Sequence, residues 1–282
     1  MDISKVGVLG FGIMGQGIAH NCAQFGFQVT AVDTADELID KGFGVISSVL
    51  KKRVERGKTS QKEMDELLGR IKGSKNMDDF EDCDLVIEAV TEDLTLKKTM
   101  FEALDRICPA HAILATNTSV LSVTQIAVAT KKPEKVLGLH FAQPVPVMKL
   151  VEVIRTPATS DETMAIAQDF CKAIGKDVVI AKDTPGFISN RSTSIYLLNA
   201  VRMLEAGYAS AEDIDKIHTL GLGHPMGPLA LLDMMGLDTV LRGATAIYEE
   251  TKEPAFNPPS LMRQMVALGW CGRKTGKGFY NY

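Results

Sequence analysis

The sequence lacks the features that mark several large classes of protein. Its 31 Lys and Arg residues are outnumbered by 35 Asp and Glu, so the net charge of −4 offers no basic surface for nucleic acid. No apolar stretch approaches 18 residues, the length expected of a membrane-spanning helix. The opening MDISKVGVLG leads into a predicted strand without a basic segment, so we expect neither export nor membrane insertion.

Cysteine is also scarce. The five cysteines are odd in number and widely spaced, and none forms a C-x-x-C pair. They are Cys22, Cys83, Cys108, Cys171 and Cys271. This pattern predicts neither a disulfide framework nor a zinc site, and it favours a reducing cytoplasm.

The most informative pattern that is present lies at residues 5–33. A short Val/Leu strand is followed by G-x-G-x-x-G and then by an apolar-periodic helix. Gly10 permits a tight turn, Gly12 lets the backbone approach a phosphate, and Gly15 lets the helix pack closely on the strand. A pyrophosphate fits the free N–H groups at the start of such a helix. The predicted dinucleotide-binding turn consists of Gly10, Phe11, Gly12, Ile13, Met14 and Gly15.

Asp33 closes the second predicted strand, about twenty residues after the glycines. A carboxylate at this place can accept hydrogen bonds from the adenosine ribose, whereas a 2′-phosphate would meet its negative charge. The expected cofactor is therefore NAD rather than NADP. The alternative is that the glycines mark an ordinary turn, but the strand, helix and acid supply the context that the motif requires.

The pattern along the chain predicts an α/β fold with a mostly parallel, Rossmann-type sheet. Short apolar runs at 84–89, 112–116, 136–140, 150–154 and 177–180 are predicted strands, and helical patterns at 94–107 and 161–174 separate some of them. Residues 36–57 and 60–72 are predicted to form a helical hairpin that is inserted in the fold and projects from the sheet.

The chain after Asp183-Thr184-Pro185-Gly186 has no further strand signal. Helices are predicted at 187–208, 211–220, 228–252 and 259–268. We therefore expect an NAD-binding domain at 1–184 and a smaller all-α domain at 185–282 for dimerisation and substrate binding. The apolar content of the second domain favours a homodimer, although a core of its own would explain the same content.

A histidine and a glutamate on successive predicted strands form the second constellation. His140 ends one strand and Glu152 lies in the next. Ligands of open α/β sheets bind outside the carboxyl ends of the strands, so His140 is well placed for proton transfer beside a nicotinamide. Glu152 could orient the imidazole and stabilise its protonated form. A structural histidine is the alternative.

The chain resembles the short-chain L-3-hydroxyacyl-CoA dehydrogenase family, in particular the 3-hydroxybutyryl-CoA dehydrogenases, over nearly all of its length. The matching segments, in order, are GFGIMG (10–15), DLVIEAVTED (84–93), ATNTS (115–119), GLHFAQPVPVMKLVEVI (138–154), KDTPGFISNR (182–191), GPLALLDMMGLD (227–238) and GRKTGKGFY (272–280). The resemblance implies an NAD-dependent oxidoreductase that interconverts 3-hydroxyacyl-CoA and 3-ketoacyl-CoA in β-oxidation or butyrate metabolism.

The resemblance also implies roles for individual residues. His140 is similar to the family's general base, Glu152 to its carboxylate partner, and Ser119 and Asn190 to the polar pair that holds the substrate's oxygens. Glu92, Lys97, Ser119, Gln143 and Lys274 match cofactor positions. Ser48, Lys52 and Arg56, spaced four residues apart on one helix face, match the region that binds coenzyme A.

Each of these side chains has a simpler interpretation. Ser119 could cap a helix that begins near residue 120, and Asn190 could be a surface residue. The charged residues could be solvated.

One segment departs from the family pattern. The family usually has HFFNP where this chain has HFAQP, so Ala142 replaces an aromatic residue and Gln143 an asparagine. The amide of Gln143 lies one methylene further out, which leaves the shape of the substrate open.

Two functions remain as alternatives. They are a specialised dehydrogenase for a cyclic or dicarboxylic 3-hydroxyacyl-CoA, and a non-catalytic NAD-binding protein. A 6-phosphogluconate-type dehydrogenase would use a lysine as base, and the His140–Glu152 pair argues against it.

Overall fold

The structure is a computed structural model that describes residues 3–282. The expectation of no export segment was drawn from MDISKVGVLG, and the first two residues of this segment, Met1 and Asp2, lie outside the described residues. The chain divides into two compact units, Met1–Asp183 and Thr184–Tyr282.

The first unit contains an eight-stranded sheet in the order β3-β2-β1-β4-β5-β6-β7-β8. Its strands are β1 (Lys5–Leu9), β2 (Gln28–Val32), β3 (Ile71–Ser74), β4 (Leu85–Glu88), β5 (Ile113–Thr116), β6 (Val136–Phe141), β7 (Leu150–Arg155) and β8 (Asp177–Lys182). All neighbours are parallel except β6 and β7. The strand order reverses between β1 and β4, which is the place where such sheets bind ligands. The predicted fold class is confirmed.

Helices cover both faces of this sheet. They are α1 (Ile13–Gln24), α2 (Asp36–Glu55), α3 (Gln61–Gly69), α4 (Leu94–Ile107), α5 (Val123–Ala127) and α6 (Asp161–Ala173). Successive residues of β4 show why, because Val86 and Ile87 are both fully buried but belong to different hydrophobic clusters. Strands buried on both faces contain continuous apolar runs rather than alternating ones, as the sequence pattern indicated.

The segment at residues 36–72 differs from its prediction in two ways. The second helix ends at Gly69, and Ile71–Ser74 forms strand β3 beside β2. The hairpin also does not simply project from the sheet, because Ile46 on α2 and Leu67 on α3 belong to the same buried cluster as Val8. The short strand β3 was missed because only its first residue is buried and apolar.

The second unit is helical, as predicted. Its helices are α7 (Ser189–Glu205), α8 (Ala211–Lys216), α9 (Pro228–Met235), α10 (Leu237–Thr251) and α11 (Ser260–Ala267). The single helix predicted at 228–252 is wrong, because Gly236 has φ +92° and separates α9 from α10. The helix predicted at 211–220 becomes a π-helix at Ile217–Gly221.

Three features of residues 3–282 bear on the classes considered above. Within this range, no helix combines the length and the apolar character needed to cross a bilayer. All five cysteines in it are free thiols. The same residues contain no cluster of three or more His, Cys, Asp or Glu side chains that could hold a metal ion.

His20 on α1 makes the stability of the first unit depend on pH. It is 3% exposed, and burial, with a smaller effect from Arg53, lowers its pKa from 6.5 to about 4. In the unfolded chain His20 therefore becomes protonated below pH 6.5, whereas in the folded chain it becomes protonated only near pH 4.

We therefore expect the wild-type protein to lose about 3 kcal/mol of unfolding free energy, relative to His20→Gln, as pH falls through this window. Urea unfolding of both proteins from pH 7 to pH 4 measures the difference. Parallel pH profiles would contradict the prediction.

Candidate active site

The glycine-rich turn between β1 and α1 has the geometry that a pyrophosphate needs. Gly10 has φ +90°, and a Cβ atom on Gly15 would lie 1.8 Å from the Gly10 carbonyl oxygen, so neither position accepts a side chain. A Cβ atom on Gly12 would meet nothing within 4 Å, which leaves open space over the backbone at the start of α1. No side chain caps this helix and no acidic residue lies in its first turn, so its N–H groups and positive end of the dipole suit an anion.

Asp33 completes this turn. Its Oδ2 atom accepts a hydrogen bond from the Phe11 N–H at 2.7 Å, and its Oδ1 atom accepts one from the Thr34 N–H at 2.7 Å. The two bonds hold the half-buried carboxylate at the end of β2, and its further lone pairs can accept from a ribose. The residues that the structure provides here therefore fit a dinucleotide.

His140 and Glu152 face each other across the antiparallel strands β6 and β7. They are directly opposed in the register of β6 and β7, and Nδ1 of His140 lies 2.7 Å from Oε2 of Glu152. Their side chains are 13% and 2% exposed. Because an ionised carboxylate only accepts, it holds the proton of a neutral imidazole on Nδ1, so that the acceptor lone pair is on Nε2.

A buried ion pair, which the sequence analysis only half identified, lies at the carboxyl end of β4. Lys97 on α4 is 1% exposed and its Nζ atom lies 2.5 Å from Oε1 of Glu88, which is fully buried. Glu88 also accepts hydrogen bonds from the Val90 N–H and the Thr116 hydroxyl, each at 2.7 Å. Lys97 is therefore not a solvated charge. Glu88 was missed, although an acid at the end of the apolar run DLVIE is a visible signal.

Glu92 connects this pair to Ser119. Its carboxylate accepts from the Ser119 N–H at 2.9 Å and from the Thr118 hydroxyl, and it lies 3.3 Å from Nζ of Lys97. The structure thus brings together three predicted residues, Glu92, Lys97 and Ser119. The alternative that Ser119 caps the next helix is wrong, because Ser122 is the N-cap of α5 and accepts from the Gln125 N–H at 3.3 Å.

Asn117 is a second residue that the sequence analysis missed. It follows β5, is 8% exposed, and accepts a hydrogen bond from the Phe141 N–H at 3.1 Å through its Oδ1 atom. This bond joins the end of β5 to the residue next to His140. Asn117 lies within the ATNTS segment, in which the sequence analysis had selected only Ser119.

The remaining predicted residues lie in four other parts of the chain. Gln143 is exposed in the loop between β6 and β7 and precedes a cis peptide bond to Pro144. Ser48 and Lys52 are exposed on α2, and Arg56 is its C-cap residue. Asn190 and Lys274 belong to the second unit, where Asn190 lies in the first turn of α7 and Nζ of Lys274 lies 2.6 Å from Oδ1 of Asp238.

Comparison with known families accounts for both units. Residues 5–184 match the family model of the 3-hydroxyacyl-CoA dehydrogenase NAD-binding domain, and residues 186–282 match that of the 3-hydroxyacyl-CoA dehydrogenase C-terminal domain. The chain belongs to the 3-hydroxyacyl-CoA dehydrogenase family. The predicted family resemblance and the predicted NAD cofactor are confirmed.

Individual members of the 3-hydroxyacyl-CoA dehydrogenase family match along their whole length. The chain is 45% identical over 282 residues to 3-hydroxybutyryl-CoA dehydrogenase of Mycobacterium tuberculosis, covering 99% of each protein. It is 43% identical over 282 residues to a probable 3-hydroxybutyryl-CoA dehydrogenase of Bacillus subtilis, covering 100% of this chain and 98% of that one. The crystal structure of (S)-3-hydroxybutyryl-CoA dehydrogenase PaaH1 from Ralstonia eutropha has a TM-score of 0.97 at 43% identity, covering 100% of this chain and 99% of that chain.

Removing Lys97 tests the energetics of the buried pair. The substitution Lys97→Met leaves the carboxylate of Glu88 buried without a counter-charge, so we expect the free energy of unfolding to fall by about 3–5 kcal/mol. The double variant Lys97→Met/Glu88→Gln should recover part of this loss, because neither buried charge then remains.

Urea unfolding of both variants measures these changes, and Lys98→Met on the same helix is the matched control. A loss in the single variant no larger than in the control would contradict the prediction.

Proposed function

We propose that the protein interconverts (S)-3-hydroxybutyryl-CoA and acetoacetyl-CoA with NAD, and that His140 is the general acid and base. The observation that carries the proposal is the His140–Glu152 pair, at 2.7 Å, near the carboxyl end of β6 in a sheet whose β1–α1 turn fits a dinucleotide. The names of the full-length relatives support the substrate class. We place the reaction in β-oxidation or butyrate metabolism.

Oxidation of a secondary alcohol removes two hydrogens, the one on C3 as a hydride and the one on the hydroxyl oxygen as a proton. The turn at Gly10–Gly15, together with Asp33, would hold NAD⁺, which would supply the acceptor for the hydride on C3 of the substrate. His140 removes the proton of the 3-hydroxyl through Nε2, and the C3–O bond becomes a carbonyl. Glu152 stabilises the imidazolium that forms. In the reverse direction His140 returns the proton to the oxygen as hydride reaches C3.

Other residues orient the reactants. We propose that Ser119 and Asn190 donate hydrogen bonds to substrate oxygens, an alignment that can supply several kcal/mol of the barrier reduction. The interactions of Glu92 with the Ser119 N–H and with Lys97 support a shared role near the nicotinamide ribose. We assign Gln143 and Lys274 to the cofactor as well. The exposed positions of Ser48 and Lys52 support contact of α2, including Arg56, with coenzyme A.

The second unit is proposed to serve dimerisation and substrate binding. Large apolar side chains at its surface support a homodimer, since Leu220 is 83% exposed and Ile217 and Leu222 are 66% and 64% exposed. The five free thiols support a reducing cytoplasm as the compartment.

A second candidate function concerns the substrate only. Half-buried Ala142 and exposed Gln143 lie in the loop next to His140, where the family pattern has a larger aromatic residue and a shorter amide. This difference favours a specialised 3-hydroxyacyl-CoA with a cyclic or dicarboxylic chain as the alternative. Comparing kcat/KM for acetoacetyl-CoA with that for longer, cyclic and dicarboxylic 3-ketoacyl-CoAs separates the two.

Replacing the proposed base tests the mechanism. The wild-type protein should oxidise NADH with acetoacetyl-CoA, and His140→Ala should lower kcat by about 10²–10⁴-fold because proton transfer to the forming alkoxide is lost. Binding of NADH, followed by its fluorescence, should change by less than about twofold, since His140 acts on the substrate oxygen. Turnover near the wild-type value in the variant would contradict the assignment. Wild-type protein that binds NADH but turns over no 3-ketoacyl-CoA would favour the non-catalytic alternative.

Replacing Asp33 tests the cofactor preference. Asp33→Ala removes the proposed ribose acceptor and the charge that opposes a 2′-phosphate, so KM for NADH should rise about tenfold or more while KM for NADPH stays level or falls. Steady-state kinetics with both cofactors measures the ratio. Asp36→Ala is the matched control, because Asp36 is an exposed carboxylate that pairs with Lys75 at 2.6 Å. Equal losses with both cofactors would contradict the ribose role.

A further inference from the structure

Lys176 is a buried charge that the proposed mechanism does not use. It is 6% exposed and lies in the turn between α6 and β8. Gly175 has φ +72°, its N–H donates to the Lys172 carbonyl, and the Lys176 N–H donates to the Cys171 carbonyl, which is the Schellman arrangement of a helix end. This turn directs the Lys176 side chain into the unit rather than into solvent.

The ammonium group of Lys176 binds one loop at two points. Nζ donates to the Val145 carbonyl at 2.5 Å and to the Met148 carbonyl at 2.8 Å. Burial lowers the pKa of Lys176, which is the usual cost of taking a charge out of water. Because these two partners are main-chain carbonyls rather than an acid, the contact serves to hold the backbone of that loop.

The 142–149 loop connects β6 to β7 and contains Gln143. Other contacts besides Lys176 also set its path. The Pro144 carbonyl accepts from the Val147 and Met148 N–H groups at 3.0 Å each, which forms a tight turn. The side chain of Val145 is 2% exposed and would lie 3.2 Å from a Cβ atom on Gly17 of α1. The Lys149 carbonyl accepts from the Asp177 N–H at 2.8 Å.

These attachments differ in kind. The turn is internal to the loop and the Lys149 bond is part of the pairing of β7 with β8, so neither holds the middle of the loop towards the rest of the unit. Two contacts hold the middle of the loop in place. The Val145 side chain packs against α1, and the Lys176 ammonium reaches the loop from the turn after α6. Of the two, only Lys176 makes directional bonds, and these determine where the backbone lies.

We propose that Lys176 is a positioning residue for the reaction: by clamping the carbonyls of Val145 and Met148 it fixes the 142–149 loop, and with it Gln143 next to the His140 strand. This inference rests on the proposed function for the role of Gln143. The clamp itself is a property of the first unit alone. A displaced Gln143 should affect the alignment of nicotinamide and substrate rather than the affinity for either.

The experiment compares Lys176→Met with the wild-type protein. We expect kcat with acetoacetyl-CoA and NADH to fall about 10- to 100-fold, with KM for each substrate within about threefold, because misalignment slows the chemical step. The primary isotope effect on kcat with C4-deuterated NADH should rise, since hydride transfer becomes more rate-limiting. Hydrogen exchange of residues 142–149, followed by mass spectrometry without substrate, should become faster than in the wild-type protein.

Two further variants sharpen the comparison. Lys172→Met removes an exposed lysine of the preceding helix, which pairs with Asp169 at 3.1 Å, and should leave kcat and loop exchange unchanged. Lys176→Gln keeps N–H donors without the charge and should lie between the wild-type protein and Lys176→Met. If Lys176→Met fails to fold, the comparison with Lys176→Gln carries the test.

The results discriminate between the clamp and its alternatives. Faster exchange confined to the loop, together with a lower kcat at nearly unchanged KM, supports the proposal. A folded variant with wild-type loop exchange overturns the clamp, and a lower melting temperature with unchanged kcat and isotope effect shows a structural role only. Failure of the wild-type protein to turn over acetoacetyl-CoA contradicts the proposed function instead, and the exchange measurement still tests the clamp.

Discussion

The antiparallel pairing of β6 with β7 is the constraint on which the candidate site depends. In a parallel pair, the carboxyl ends of both strands lie at one edge of the sheet, and a long crossover must connect them. Here one loop reverses the chain, so a residue near the end of β6 lies opposite one near the start of β7. His140 and Glu152 occupy that register position, and the ladder of backbone hydrogen bonds around them holds the imidazole and carboxylate at 2.7 Å.

Near the carboxyl end of β4, the candidate site is organised by charged side chains that are buried together with their partners. Glu88 and Lys97 lie almost fully out of water, and such groups persist only when they are paired and hydrogen-bonded. Glu92 extends this network to the backbone at Ser119. Lys176 illustrates the same rule with carbonyl partners. Moving such a side chain away from its partners would destabilise the protein. Side chains held in this way are suitable for keeping reactants in place.

Local patterns predicted most of the elements, and most of their boundaries to within a few residues. The apolar runs at β4 to β7 were recognised because strands buried on both faces are unusually hydrophobic. The edge strand β8 is largely exposed and was recognised by its β-branched run. Strand β3 was missed because its residues Ile-Lys-Gly-Ser contain one buried apolar side chain, and its pairing with β2 gives it its conformation. Gly236 was read as part of one helix because a single glycine is tolerated there, and only its φ of +92° shows the break.

The sequence by itself determined the dinucleotide turn, since Gly10, Gly12, Gly15 and Asp33 act within one short βαβ segment whose geometry depends on local conformation. Seven segments along the chain indicated the family. The sequence also indicated His140 and Glu152, which lie close in the chain. Only the tertiary structure decided that Glu88 neutralises Lys97, that Asn117 bonds to the Phe141 N–H, and that Lys176 reaches the 142–149 loop. Asn117 and Lys176 bond to residues 24 to 31 positions away, and the contact of Glu88 with Lys97, nine positions on, joins the end of β4 to helix α4. No periodicity in the sequence encodes such contacts.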